Sequence, residues 1–580
     1  MLNKNLKKVL MICLSAAMIA TFASCGKEPE PAKTSGWLAS EEYEVQLYKL
    51  NEETKKNIFG QEKRISAEFV EDKTVSRGTE VILVDKPEKD EEGNVLYEQY
   101  QIGEEVFYAK PGFFTDDYKK VVPETTMYVR TSVTVYQNTE DVKIAGFAKK
   151  GTKLNVLDFD KVNADGRVNM YKVSYDGGEG YVFGKYLADN QADADAVYNE
   201  NGVADFHHEA VYGGTELYGG NPDSLDWYPY ERVSIEGNQF CEDARAMYLG
   251  VGVAGLNYME YVDCAKSNGC TAVVIDIFDD VLAFDSEAAK TYCPSGYNFA
   301  HDYRSFDPAE WGKMIQAFND AGIYTIGRIV TFNDPDYAYD HPENSIDYYG
   351  TDWASAFSRG VWEYKVSLAV EAVEKFGLKE IQFDYVRFPE ASYRMSASGV
   401  ADFRNYYNEE KCEAIQNFVI YAADMLHRAG AYMSVDVFGE CSYGYVTAYG
   451  QYWPAISNIA DAISAMPYTD HFENDPYLWQ HPYYTLYNWA KNAAELQKYT
   501  PTPACARTWV TAYNTPAKYD CDVITYYGAE AIADQVQGLW DAGLRGGFMT
   551  WNYASPLAKY QDFSWAWSHD YSTTSGRILY

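Results

Sequence analysis

Glu380-Ile381-Gln382-Phe383-Asp384-Tyr385-Val386-Arg387-Phe388-Pro389 reads as a buried strand that ends in chemistry. Its apolar, aromatic and β-branched residues suit a pleated ladder. Pro389 cannot donate to a ladder, so the strand stops before it. At the stop stand Asp384 and Arg387 among three aromatics. A carboxylate and a guanidinium at the end of an apolar strand mark a site, because such a strand has no structural need of them there. In (β/α) barrels, strand C-termini carry the chemistry.

On either side of this run, strand and helix signals alternate, as in α/β architecture. Strands are expected at Ala246–Val253, Ala272–Phe278, Tyr324–Thr331, Glu380–Tyr385, Tyr432–Phe438, Ala462–Met466, Cys505–Thr511 and Gly547–Trp551. Amphipathic helices are expected between them, at Asn257–Ser267, Pro308–Ala321, Val361–Phe376, Lys411–Arg428, Trp453–Ile459, Tyr484–Tyr499 and Glu530–Ala542. Gly269, Gly322, Gly377, Gly430 and Gly543 stand where helices should stop. A doubly wound sheet would show the same alternation. The even strand count, and polar residues at nearly every strand end, favour a (β/α)8 TIM barrel over residues 241–575.

The strand ends compose a candidate site: Asp276; Arg328; Asp384, Tyr385 and Arg387; Asp436 and then Glu440; Tyr468 and His471; Trp509; Trp551. A ring of acids with aromatics and arginines suits glycoside hydrolysis. One carboxyl protonates the leaving oxygen, and a second attacks, stabilises the oxocarbenium-like centre or activates water. Neighbouring charges separate the two pKa values. Asp384 is expected to be the nucleophile. Arg387 reaches back to it only if the chain turns, because residues i and i+3 of a strand face opposite ways. Asp436 or Glu440 is the expected acid/base. Asp276 is the third acid, for acid/base work or for substrate hydroxyls. Arg328, Tyr385, Arg387, Tyr468, His471, Trp509 and Trp551 are expected to bind substrate, although buried Asp–Arg pairs and aromatic caps also occur as plain architecture.

The first half holds a tandem repeat at an offset of 73 residues: Gly78-Thr79-Glu80-Val81-Ile82-Leu83-Val84 matches Gly151-Thr152-Lys153-Leu154-Asn155-Val156-Leu157. Short strands with Gly and Asp-Gly turns mean small all-β modules, over residues 41–118 and 122–190. Residues 191–240 are a linker leading into the barrel. His207-His208 in it reads as surface.

Residues 1–25 read as an export signal: Lys4, Lys7 and Lys8, an apolar core, then Ala23-Ser24-Cys25. Residues 26–40 follow as a polar tether. Small residues before a cysteine resemble a bacterial lipobox, although Phe22 stands where Leu is usual. On that reading Cys25 carries lipid and anchors the exported chain to the cell membrane. A plain secretory signal is the alternative. The net charge of −36 disfavours nucleic acid, anionic lipid headgroups and polyanionic substrates. Aromatics at 16%, with 53 Tyr and 13 Trp, suit sugar-stacking faces. Zinc-type ligand spacing, a phosphate-cradling glycine loop and a GxSxG elbow are all missing, so no metal or cofactor is implied.

The run Ile381–Pro389 resembles the signature of a bacterial family of glycoside-hydrolase-like proteins, exported barrels described chiefly as a domain of unknown function. Val273-Val274-Ile275-Asp276, Ile326–Phe332 and Ile463–Tyr468 are similar to further segments of it. The resemblance covers residues ~240–555. It implies an amylase-like layout, with nucleophile and acid/base on the fourth and fifth strands, which map onto Asp384 and Asp436. The chain departs from that layout by lacking an acid on the seventh strand and by offering Asp436 where Glu is expected. Tyr128-Val129-Arg130-Thr131 and Gly180-Tyr181-Val182 make the second module similar to bacterial SH3-like domains, and the first module is a more divergent copy. Such modules bind cell-wall material or serve as spacers. The expectation is a surface-anchored glycoside hydrolase acting on a polysaccharide. Its rivals are a non-catalytic carbohydrate- or wall-binding lipoprotein and, on the same barrel, a transglycosylase or lyase.

Overall fold

The computed structural model describes residues 31–573, apart from 40–43, 57–61, 91, 118–119, 122–125, 162, 164–166, 197–218, 222–224, 473–474 and 515–526. The export signal, Cys25 and His207-His208 lie outside the described residues. The chain forms two compact units: Met1–Val122 with Val162–Arg167, and Pro123–Lys161 with Val168–Tyr580.

The first unit is a seven-stranded antiparallel sheet. The tether expected over 26–40 is shorter than that, because Lys33–Leu38 is already a strand, paired with Glu80–Lys89. Leu38 is fully buried there with Val45, Val81 and Tyr100. A long hairpin of Glu44–Lys56 and Glu62–Ser76, unforeseen in the sequence, extends the sheet. The second unit opens with another seven-stranded sheet whose strands follow the same order as the first. The repeat is therefore one of topology as well as sequence. In both copies its glycine has positive φ, 87° at Gly78 and 81° at Gly151, as the turn before the next strand requires.

The rest of the second unit is a nearly closed parallel barrel. Its strands are β1 (Ala244–Leu249), β2 (Ala272–Phe278), β3 (Tyr324–Val330), β4 (Glu380–Asp384), β5 (Tyr432–Phe438), β6 (Ala462–Met466), β7 (Cys505–Ala506), β8 (Thr508–Thr511) and β9 (Gly547–Trp551). Seven expected strands appear within a few residues of their expected ends. The eighth, Cys505–Thr511, is split at Arg507 into β7, which pairs with β6, and β8, which pairs with β9. Arg507 itself keeps to β6, its amide donating to the Ile463 carbonyl at 2.9 Å. It is fully buried and donates to Glu380 Oε1 at 2.7 Å at the base of the barrel.

Period-two alternation sorts the interior into layers. Glu380, Arg507 and Tyr324 meet at the base. Gln382 crosses the middle to Ser464 Oγ at 3.2 Å. Towards the C-terminal mouth, β2, β3, β4, β5, β8 and β9 carry Asp276, Arg328, Asp384, Asp436, Trp509 and Trp551.

The second sheet is fixed to the barrel helices Arg359–Phe376 and Lys411–Ala429. Tyr421 donates to the Val142 carbonyl at 2.7 Å, and the Ile144 amide donates to Glu363 at 2.7 Å. Lys185 and Tyr186 both donate to Asp424 Oδ1, at 2.6 and 2.8 Å. Tyr186 is buried, so Asp424→Ala strands its hydroxyl and is expected to destabilise this unit by about 1–3 kcal/mol, read as a lower melting temperature. Among the described residues, no helix is long and apolar enough to cross a membrane, and seven cysteines are free thiols.

Candidate active site

Arg328 organises the mouth. Its Nη1 donates to Asp276 Oδ1 at 2.8 Å, and its Nη2 and Nε donate to Asp384 Oδ2 at 2.6 and 3.2 Å. Asp279 Oδ2 lies 3.5 Å from Nη1, and Asp436 Oδ2 lies 3.9 Å from Nε. One guanidinium thus gathers four carboxyls from β2, the residue just after it, β4 and β5. At 3.2 and 3.9 Å from a single nitrogen, the Asp384 and Asp436 oxygens are at most about 7 Å apart.

The four differ in environment. Burial pushes Asp276 up to about 6 against the pull of Arg328, while the Tyr248 hydroxyl donates to its second oxygen. Asp436 is driven well above the usual carboxylate range by burial and then by the Asp384 charge. Trp509 Nε1 donates to its Oδ1 at 2.8 Å, but its Oδ2 has no hydrogen-bond partner. Burial also raises Asp279, helped by Asp280 and Asp384 and opposed by Arg328.

The raised Asp436 has a consequence for stability. A carboxyl whose folded pKa exceeds its unfolded value contributes fully below the unfolded pKa, near 4, and loses that contribution as pH rises towards the folded value. Asparagine mimics the neutral acid at every pH. Asp436→Asn is therefore expected to melt a few degrees above wild type at pH 8 and to show no gain at pH 3.5. Paired thermal melts at the two pH values check this.

The turn that Arg387 needed does exist. Tyr385 has φ 53°, a conformation that side chains disfavour, and its amide donates to Asp384 Oδ1 at 2.6 Å. Arg387 nevertheless does not bond Asp384. Its guanidinium sits among aromatic rings, 4.3 Å from the Phe438 centroid and 4.9 Å from that of Tyr385, and donates to the Phe388 carbonyl and to Glu390. The partner of Asp384 is Arg328. Glu440 is held by the Tyr445 and Tyr449 hydroxyls, each at 2.7 Å, one on each oxygen, apart from the Arg328 cluster. His471 is mostly exposed, with Nδ1 2.9 Å from Asp470.

Tyr468, Trp509 and Tyr248 pack around Trp551, with ring centroids at 6.3, 5.6 and 4.4 Å. Trp551 and Tyr385 wall a cleft of about 500 Å³ over Arg328, with Asp279, Phe299 and Tyr553. Asp279, Phe299, Tyr553 and the Tyr248–Asp276 bond were not singled out from sequence. Asp279 was visible only as one of several acids after β2, and nothing in its spacing points it at Arg328.

A family described as "Putative glycosyl hydrolase domain" matches residues 246–556. No curated protein matches. Among solved structures, a hypothetical protein from Ruminiclostridium thermocellum ATCC 27405 is 29% identical, over 33% of this chain and 97% of that one, at a TM-score of 0.27. The PgaB (BpsB) glycoside hydrolase domain from Bordetella bronchiseptica is 11% identical, over 56% and 99%, at 0.39. The spore cortex-lytic enzyme SleL from Bacillus megaterium QM B1551 is 11% identical, over 62% and 80%, at 0.36. The family match spans more than half of this chain, and the chain belongs to that glycosyl hydrolase domain family.

Proposed function

We propose that the barrel hydrolyses a polysaccharide by a two-carboxylate mechanism, on a chain exported and held at the bacterial cell surface by lipid on Cys25. The observation that carries this reading is the set of four acids on the single guanidinium of Arg328, at the floor of an aromatic-walled cleft. Asp384, bonded twice by Arg328, is the charged member that meets the anomeric carbon. Asp276 is held by Tyr248 and Arg328 and fixes the guanidinium. Trp551, Tyr385 and Tyr553 offer faces for pyranose rings. The two β modules, read as SH3-like, serve as spacer and wall contact. The second presents only the face left free by its barrel contacts.

One observation favours the rival reading of a non-catalytic glycan binder. Asp436, the expected acid/base, is sealed: its side chain has 0% exposure. The test is release of new reducing ends from a panel of neutral and amino-sugar polysaccharides by the whole chain. Release from at least one of them is expected. Binding without release across the panel would leave the binder.

A further inference from the structure

We infer that Asp279 is the proton donor that touches the glycosidic oxygen, an assignment that rests on the hydrolase reading. The four acids around Arg328 differ sharply in access. Side-chain exposure is 2% at Asp276, 7% at Asp384 and 0% at Asp436, but 24% at Asp279. Asp279 is also the one of the four that lines the cleft. A general acid must come within hydrogen-bond reach of the atom it protonates. Asp436 has no route to such an atom, whereas Asp279 stands open beside the sugar platforms.

The placement also suits a pair. Asp279 and Asp384 sit on the two terminal nitrogens of one guanidinium, at 3.5 and 2.6 Å, which keeps their oxygens within the roughly 9.5 Å that glycosidases span. The proton affinity of Asp279 is set by burial, then by Arg328, Asp280 and Asp384, while Asp276 and Tyr553 are the other titratable groups that face it. Burial, Asp280 and Asp384 favour its protonated form, and Arg328 opposes it.

The step balances. As the C1–O bond breaks, the Asp279 proton passes to the departing oxygen, and the Asp384 carboxylate bonds or stabilises the anomeric carbon. Water then adds to that carbon, any bond from it to Asp384 breaks and returns its electron pair to the carboxylate, and the water proton passes to the Asp279 carboxylate, which restores the acid. The products are one alcohol and one hemiacetal. Asp436 becomes a positioning residue. Burial and the Asp384 charge favour its protonated form, which spares that carboxylate a second buried charge.

The test uses the full chain and two substrates: the glycan it hydrolyses, and the 2,4-dinitrophenyl glycoside of the same sugar, whose leaving group departs without a proton. Asp279→Asn is expected to lose about 10²–10⁴-fold in kcat/KM on the glycan, to lose less than about tenfold in kcat/KM on the aryl glycoside, and to lose the alkaline limb of its pH profile. Asp279→Glu keeps a carboxyl and is expected to recover part of the glycan rate. Melting curves of both variants confirm folding. Full glycan activity in Asp279→Asn, or equal losses on the two substrates, overturns the assignment and leaves the hydrolase reading standing. A wild type that cleaves nothing overturns both.

Discussion

Arg328→Met is expected to destabilise the barrel by about 3–5 kcal/mol, the cost of stranding buried charges when one partner of a buried pair is removed. Methionine keeps much of the volume and all of the apolar stem, so the loss isolates the guanidinium. Asp276 and Asp384 lose the hydrogen bonds at 2.8 and 2.6 Å that compensate them. Packing against Trp551, 5.5 Å from the guanidinium carbon, is lost as well. The effect has a pH sign. Unpaired buried carboxyls are penalised in their charged form, so the deficit is largest above neutrality and shrinks as pH falls towards 5 and they take up protons. Melting curves of wild type and variant at pH 8 and pH 5 show this as a gap that narrows on acidification. An unchanged gap would place the loss in packing alone.

Asp384→Asn carries the second large effect, this time on turnover. The amide is nearly isosteric and still accepts from Arg328, so the fold and the cleft are kept. It cannot act as the charged partner of the anomeric carbon, and kcat is expected to fall on the order of 10³-fold or more. The melting temperature should move far less than in Arg328→Met, because the guanidinium keeps Asp276 and Asp279. Large loss of turnover with little loss of stability separates Asp384 from an architectural pair such as Glu380–Arg507.

Much of the barrel was legible because its signals are local. Alternating apolar residues gave the strands, and glycines such as Gly377 and Gly430, in the left-handed region at φ 70° and 88°, gave the helix ends. The break in the seventh strand was not legible. Arg507, at the break, bonds Glu380, a residue 127 positions away, and no local pattern points to that partner. The site shows the same division. Period two placed Asp276, Arg328, Asp384 and Asp436 on one inner layer, and their strand-end positions were readable. Which cation serves which acid was not readable. Arg387 is near Asp384 in sequence, but an aromatic box holds it. Arg328 is 56 positions from Asp384 and bonds it. Glu440 looked available until two tyrosines, five and nine residues on, proved to occupy both its oxygens. Burial separates Asp279 from Asp436, and burial is a property of the folded barrel.

The most direct measurement follows one glycan with two proteins. Wild type and Asp384→Asn are each mixed with the polysaccharide that the panel identifies, and binding and new reducing ends are recorded over the same hours. The predicted result is comparable binding by both, with reducing ends released by wild type and the glycan left intact by Asp384→Asn. Release at wild-type rate by Asp384→Asn would contradict the account.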